Sequence, residues 1–229
     1  MSTRLMLSLV NDMLDFSSIL SRQFKKKLRR FDVRAALVEA GDLLRFMIEE
    51  KGLRLNVRTH HIRPQFVYSD RDRLIQVTVN LLGNACKYTM RGQITLTAEI
   101  EQEDEMQVLR VSVEDTGIGI KEEDLRNLFK MFYRIKEGTQ LDRNGIGLGL
   151  NICKSIVGEF GGDVTVCSEF GKGSIFSFYF ELSDHEEEER KEEAETRAPS
   201  RELQWSEESR LNITEGSKIE GLPFLANEG

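Results

Sequence analysis

Apolar residues recur at every second position in five short segments of this chain, and that period admits only a sheet with one buried face. Leu53, Leu55 and Val57 form the first segment. Ile94, Leu96, Ala98 and Ile100 form the second, and Leu109, Val111 and Val113 the third. Val164 and Val166 mark the fourth, and Phe176, Phe178, Phe180 and Leu182 the fifth. Polar residues 101–105 separate the second from the third, which predicts a hairpin. Helical spacing fills the intervals. In 5–24, Met6, Leu9, Met13, Phe16 and Leu20 recur at steps of three and four, a stripe suited to packing helix on helix. A second helix is predicted over 31–51, with Leu37, Ala40, Leu44 and Met47 on one face and Gly52 as its stop. A third is expected at 70–88 with Asp70 as cap, a fourth at 122–132, and a fifth at 148–160 closed by Gly161 and Gly162. Residues 133–144 read as a polar loop. Helices layered on a sheet are the expected result.

Charge is distributed unevenly. The formal net charge is -7, yet the segment from Asp184 onward holds 14 carboxylates against 6 Lys or Arg, so the remainder is nearly neutral. That tail is too charged to bury a core, and is expected to be disordered or a linker. The other 183 residues are ample for one well-buried core. No clustered basic surface appears, which excludes a general nucleic-acid binder. The run Lys25, Lys26, Lys27, Arg29 and Arg30 reads as a solvated helix end. The three cysteines, Cys86, Cys153 and Cys167, form no CxxC pair, and their odd number fits a reduced interior. No apolar run approaches the ~18 residues of a membrane span, and no signal-type apolar stretch follows Met1. A soluble, cytoplasmic chain is expected, with room for a longer parent anchored in a membrane elsewhere.

Four clusters carry chemistry. Asn80 and Asn84 lie one helical turn apart among Val77, Val79, Leu81, Leu82 and Ala85, with Lys87 and Tyr88 extending the polar edge. A buried amide without partners costs about 1–3 kcal/mol. The pair therefore either satisfies itself as core asparagines or offers an amide oxygen, a good hard ligand, to Mg²⁺. Asp115 continues the parity of Leu109, Val111 and Val113, so it points inward and needs a partner. Gly117 and Gly119 follow it, either as turn residues or to let the backbone approach a ligand, and a carboxylate there can accept from an exocyclic amine such as adenine's. Gly145, Gly147 and Gly149 precede a helix N-terminus, where free N–H groups and the dipole favour an anion. They follow a polar loop rather than a strand, which suggests a lid. Ser174, after Gly171 and Gly173, shares the inward parity of Phe176, or belongs to a plain hairpin turn.

These strings occur in a recognisable order. Residues 80–89, NLLGNACKYT, resemble the asparagine box of sensor histidine kinases, and DTGIGI from Asp115 resembles their first glycine box. LFKMFYR from Leu128 resembles the phenylalanine box, GIGLGL from Gly145 the second glycine box, and GKGSIF from Gly171 the closing strand motif. The likeness covers roughly 31–182, and the N-terminal helix resembles the second half of the family's second dimerisation helix. The resemblance implies an α+β fold shared with gyrase-type ATPases: a two-layer sandwich whose mixed sheet of about five strands is covered by helices. It divides the chain into a dimerisation-helix remnant at 1–30, an ATPase domain at 31–183 and a tail at 184–229. It also implies roles. Asn84 would hold Mg²⁺, Lys87 would meet the phosphates and Asp115 would take the adenine amine. Asn80 joins Asn84 and Lys87 as catalytic, while Tyr88, Gly117, Gly119, Gly145, Gly147, Gly149 and Ser174 complete an ATP site, Gly147 and Gly149 closing over the phosphates.

The implied activity is transfer of the ATP γ-phosphate to a histidine on a dimerisation domain, for relay to a response regulator receiver domain. Gyrase-like relatives carry a water-activating glutamate where this chain has Asn80, and an amide is not a base at neutral pH. Slow hydrolysis is expected. The only histidines, His60, His61 and His185, lie in no acceptor motif, so the histidine is expected from another chain or from an upstream part. A homodimer is the corresponding assembly, although about two heptads of helix are too short to hold one alone. An ATP-binding regulatory module is the alternative. A serine kinase or protein-remodelling ATPase of the same superfamily is a third reading, and the absent carboxylate at position 80 argues against the ATPase.

Overall fold

The computed structural model describes residues 17–19, 21, 23–59, 62–103, 106–133 and 147–182. The chain order is β1 (Arg29–Asp32), α1 (Val33–Glu50), β2 (Arg54–Arg58), β3 (Phe66–Ser69), α2 (Arg71–Tyr88), β4 (Gln93–Glu103), β5 (Met106–Asp115), α3 (Glu122–Leu125), α4 (Gly149–Glu159), β6 (Val164–Glu169) and β7 (Gly173–Glu181). Five strands make one sheet in the order β2-β4-β5-β7-β6. The β2–β4 pair is parallel and the rest are antiparallel, so the sheet is mixed.

Register explains the core. Leu96 pairs with Val113 and Val113 with Phe176; Ala98 pairs with Val111 and Val111 with Phe178. Because parity is shared across paired positions, these side chains form rows on one face, and all of them are buried. Helices α1, α2 and α4 cover that face with Leu37, Leu74, Leu81, Ile152 and Ile156, each at most 2% exposed. The opposite face is polar. Ser112 and Ser177 pair their hydroxyls at 2.8 Å, Arg110 Nε donates to Glu101 at 2.8 Å, and Asn56 donates to Gln93 at 3.3 Å. The result is the two-layer α+β sandwich expected from the sequence.

Local chemistry sets the helix ends. Asp70 Oδ1 accepts from the N–H groups of Asp72 and Arg73, both at 3.1 Å, and so starts α2 where the sequence places it. Asp32 likewise accepts from Ala35 N at 3.1 Å, so α1 starts at Val33 and not at 31. Phe31 and Asp32 belong instead to β1, which pairs with β3 in a two-stranded ribbon that four-residue segments without clear alternation did not announce. Gly52 closes α1 with φ +67.

Three further expectations are corrected. The polar stretch 101–105 is not all turn, because β4 runs on to Glu103. The helix expected at 122–132 ends at Leu125. Beyond it Asn127 N bonds Asp124 O at 3.0 Å and Lys130 N bonds Asn127 O at 2.9 Å, three-residue turns rather than helix. Phe132 then takes φ +60, which a right-handed helix cannot continue through. The basic run is not a helix end. Residues 23–28 have no regular structure and lie along the domain, where Lys27 N donates to Asp70 Oδ2 at 2.8 Å and the Phe24 ring meets Phe160 edge-on at 6.4 Å. Of the N-terminal helix only 17–19 are described as helical; 1–16 and the tail from 183 lie outside the described residues.

Candidate functional site

The last turns of α2, the end of β5, the start of β7 and the start of α4 converge. Asp115 stands at the centre. It pairs in register with Ile94 on one side and Ser174 on the other, and it is buried, 6% exposed. Burial pushes its carboxyl above the usual carboxylate value, opposed by donors at Gly117, Ser174 and Thr89 that favour the ionised form. The strongest visible donor is Gly117 N, 2.7 Å from Oδ1.

The loop after Asp115 is laid directly on the end of α2. Ile118 N donates to Tyr88 O at 3.3 Å, while Thr116 and Gln93 exchange bonds at 3.1 and 3.2 Å. Gly117 has no room for a side chain. A Cβ there would lie 2.6 Å from Asp115 Oδ1, 2.6 Å from Tyr88 O and 3.0 Å from Thr89 Oγ1. Gly119 is equally tight, with a Cβ 2.1 Å from Glu169 O. Ser174 faces inward, as parity requires, and shares a 3.0 Å hydroxyl contact with Ser168, which also receives Ile120 N at 2.9 Å.

On α2, Asn84 Nδ2 donates to Asn80 Oδ1 at 3.3 Å. Both residues are half-buried. That bond consumes an N–H of Asn84 and leaves its carbonyl oxygen out of the pairing. Lys87 Nζ donates to Tyr88 OH at 2.9 Å and lies 4.6 Å from the ring centre. The first turn of α4 comes down on this edge, because Gly149 lies against the Asn80 amide. No side chain caps the N-terminus of α4. Gly147 takes φ +78, and Phe132 N donates to its carbonyl at 3.1 Å, so the two ends of the stretch 134–146 are tied together. Gly145 and most of the expected lid lie outside the described residues.

Asn80, Asn84, Lys87, Tyr88, Asp115, Gly117, Gly119, Gly147, Gly149 and Ser174 therefore share one region built from four elements. Three neighbours were not singled out in the sequence. Thr89 is completely buried, and its hydroxyl is the side-chain donor that favours the ionised form of Asp115. Ser168 links the β6–β7 turn to the loop after Asp115. Asn151 Nδ2 holds Phe129 O at 3.0 Å, while its Oδ1 is buried without a partner. A polar residue directly after α2 was the available signal for Thr89; Ser168 and Asn151 depend on long-range contacts that no local pattern marks.

The residues present fit a purine nucleotide. A buried acid, a buried hydroxyl that donates to it and a glycine cradle too narrow for any Cβ surround one spot. The uncapped start of α4 offers N–H groups to an anion. Among the described residues no group of three or more His, Cys, Asp or Glu side chains is placed to hold a metal. A divalent ion here would rely on the amide oxygen of Asn84 together with phosphate and water oxygens, a set that suits Mg²⁺.

Comparison with known proteins agrees with this geometry. The profile of the family described as histidine kinase-, DNA gyrase B-, and HSP90-like ATPase matches residues 69–184. Hybrid signal transduction histidine kinase B of Dictyostelium discoideum is 38% identical over 179 residues, covering 78% of this chain and 9% of that protein. Aerobic respiration control sensor protein ArcB of Escherichia coli strain K12 is 33% identical over 171 residues, 74% of this chain and 22% of ArcB. The chain thus spans less than a quarter of the length of these relatives. Among solved structures, full-length ShkA in complex with AMPPNP superposes with a TM-score of 0.67 at 31% identity, over 78% of this chain and 36% of that one. The catalytic domain of histidine kinase ThkA gives 0.57 at 29% identity, over 68% of this chain and 95% of that one.

Proposed function

The chain belongs to the histidine kinase-, DNA gyrase B-, and HSP90-like ATPase family, and from that premise we propose that it is the ATP-binding catalytic domain of a protein-histidine kinase. Its task in this reading is to deliver the ATP γ-phosphate to a histidine on a dimerisation domain, in another chain or in an upstream part, for relay to a receiver domain. The likeness to ShkA, a protein solved with AMPPNP, and to hybrid and sensor kinases supports the nucleotide and the relay. Residues 31–183 are the unit that acts, with 1–30 as the dimerisation remnant and 184–229 as tail.

The observation that carries the reading is the amide pair. Asn80 stands in an N–H···O bond with Asn84, at the place where a hydrolytic relative needs a base. An amide takes no proton from water at neutral pH, so a bound nucleotide is held without activating its hydrolysis. ATP with Mg²⁺ supplies the phosphoryl group and the charge neutralisation. This chain's residues supply position: Asp115 fixes the base, Asn84 offers its oxygen to the ion, Lys87 meets the phosphates, and the N-terminus of α4 faces the same anion. No described helix is long and apolar enough to cross a membrane.

The test is reconstitution. The chain is mixed with a separate dimerisation domain bearing its histidine and with γ-labelled ATP and Mg²⁺. Acid-labile label on the histidine domain is expected. Tight ATP binding with no transfer would instead make the chain an ATP-binding regulatory module, and acid-stable label on a partner would point to a serine kinase.

A further inference from the structure

We propose that Lys51 is a positioning residue for the nucleotide site: by taking the last carbonyls of α2 it leaves the Lys87 ammonium for the phosphates. This rests on the nucleotide-binding reading above. The first observation concerns the end of α2. A helix leaves its last carbonyls without partners, and a left-handed glycine often folds the chain back to supply the missing N–H groups. No such glycine ends α2. Thr89 follows Tyr88 in extended backbone, φ -96 and ψ 119, and its N–H bonds Ala85 O at 3.0 Å. The carbonyls of Cys86, Lys87 and Tyr88 need donors from elsewhere. Ile118 N, in the loop after Asp115, reaches Tyr88 O at 3.3 Å. The other two go to a side chain at the end of a different helix. Lys51 Nζ donates to Cys86 O at 2.6 Å and to Lys87 O at 3.2 Å.

The second observation is what this does for Lys87. Lys51 caps α1, its own N–H bonded to Glu49 O, and the buried Ile48 and Leu53 anchor the chain on either side of it. Its ammonium therefore approaches α2 from a fixed point. Lys87 lies in the last turn of α2, where the carbonyls and the negative end of the helix dipole attract a lysine back onto its own helix. Those carbonyls are occupied. Lys87 Nζ turns instead to Tyr88 OH at 2.9 Å, 4.6 Å from that ring's centre. One cation satisfies the helix end, and the other stays on the edge of α2 that carries Asn84, three residues away and so its neighbour on the helix surface. Removing the Lys51 ammonium hands Lys87 a set of acceptors that compete with phosphate.

The test uses the full chain with Lys51→Met, Lys51→Arg, Lys87→Met and the Lys51→Met, Lys87→Met double variant. Dissociation constants are measured for Mg²⁺-ATP by calorimetry and for adenosine, which has no phosphate, by NMR titration. The proposal expects Lys51→Met to bind ATP about tenfold more weakly and adenosine as the native chain does. Lys51→Arg, which keeps a charged donor, recovers most of the loss. In the Lys87→Met background the change at position 51 costs ATP affinity little more, because the two lysines act through one contact. Undiminished ATP affinity in Lys51→Met overturns the proposal. So do equal losses for ATP and adenosine, which would mark a merely structural role, and so does a full tenfold further loss in the double variant, which would make the lysines independent. A folded native chain with no ATP affinity at all removes the nucleotide reading itself, and this inference with it.

Discussion

The amide of Asn80 lies against the backbone of Gly149 so closely that a methyl group on that glycine would stand 2.7 Å from Nδ2 and 2.9 Å from Oδ1. Two helices far apart in sequence are thereby locked at one point, and the point is where the paired amides meet the uncapped start of α4. Gly149 is thus a packing residue as well as a member of a glycine-rich string.

Gly149→Ala tests that contact. The added methyl has to displace the Asn80 side chain or lift the first turn of α4, an overpacking that costs about 1–3 kcal/mol. Urea unfolding should show the loss of stability, and calorimetry should show weaker ATP binding, because the Asn80–Asn84 bond is disturbed at the same time. A variant as stable as the native chain would mean that the two helices yield freely at this point.

Asp115→Asn should move stability and binding in opposite directions. Burial holds this carboxyl above its usual value in the folded chain. A folded state whose acid has the higher pKa holds more protons than the unfolded state between the two values, so stability falls as pH rises through that window and the cost is complete above it. At neutral pH the amide variant should therefore melt higher than the native chain, with the gap narrowing on acidification below the raised pKa. Its ATP affinity should collapse, because an amide can present its N–H₂ where the acid accepts. Thermal melts at several pH values and one binding titration check both signs.

Asn80→Asp places a carboxylate of the same shape where Asn84 already donates at 3.3 Å. The native chain should release phosphate from Mg²⁺-ATP only slowly. The variant should release it faster, because a base now stands beside the nucleotide. Vigorous Mg²⁺-dependent turnover by the native chain would contradict the role given to the amide.

Phe24→Ala reports on the segment before β1. Its ring meets Phe160 edge-on, Phe160 stacks on Phe180 at 4.4 Å, and the Arg73 guanidinium lies 5.0 Å from the Phe24 ring centre. Phe24 is only half-buried, so its removal should cost about 1–2 kcal/mol. Phe180→Ala, at the fully buried end of the same stack, should cost about 3–5 kcal/mol. Denaturant midpoints of the two variants give the comparison.

How much of this the sequence disclosed depends on whether the cause was local. Parity placed Asp115 and Ser174 on the buried face, and the Asp70 cap located α2, because both follow from spacing along one strand or one helix. The ribbon of β1 and β3 escaped because Arg29–Asp32 and Phe66–Ser69 are too short to show a period and exist through each other. The helix expected at 122–132 failed at Leu125 because tertiary turns and the positive φ of Phe132 outweigh an apolar spacing that suits a helix. In the site, residues that share a string were legible. Thr89 gained meaning only once the chain brought Asp115 and Gly117 back against the end of α2, and the contact between Asn80 and Gly149 joins two strings that nothing in sequence connects.

The most direct test is a calorimetric titration of the native chain with Mg²⁺-ATP, with Asp115→Asn run beside it. Saturable one-to-one binding that the substitution abolishes is the predicted result. A correctly folded native chain that gives no binding isotherm, or one that the substitution leaves unchanged, would contradict the account.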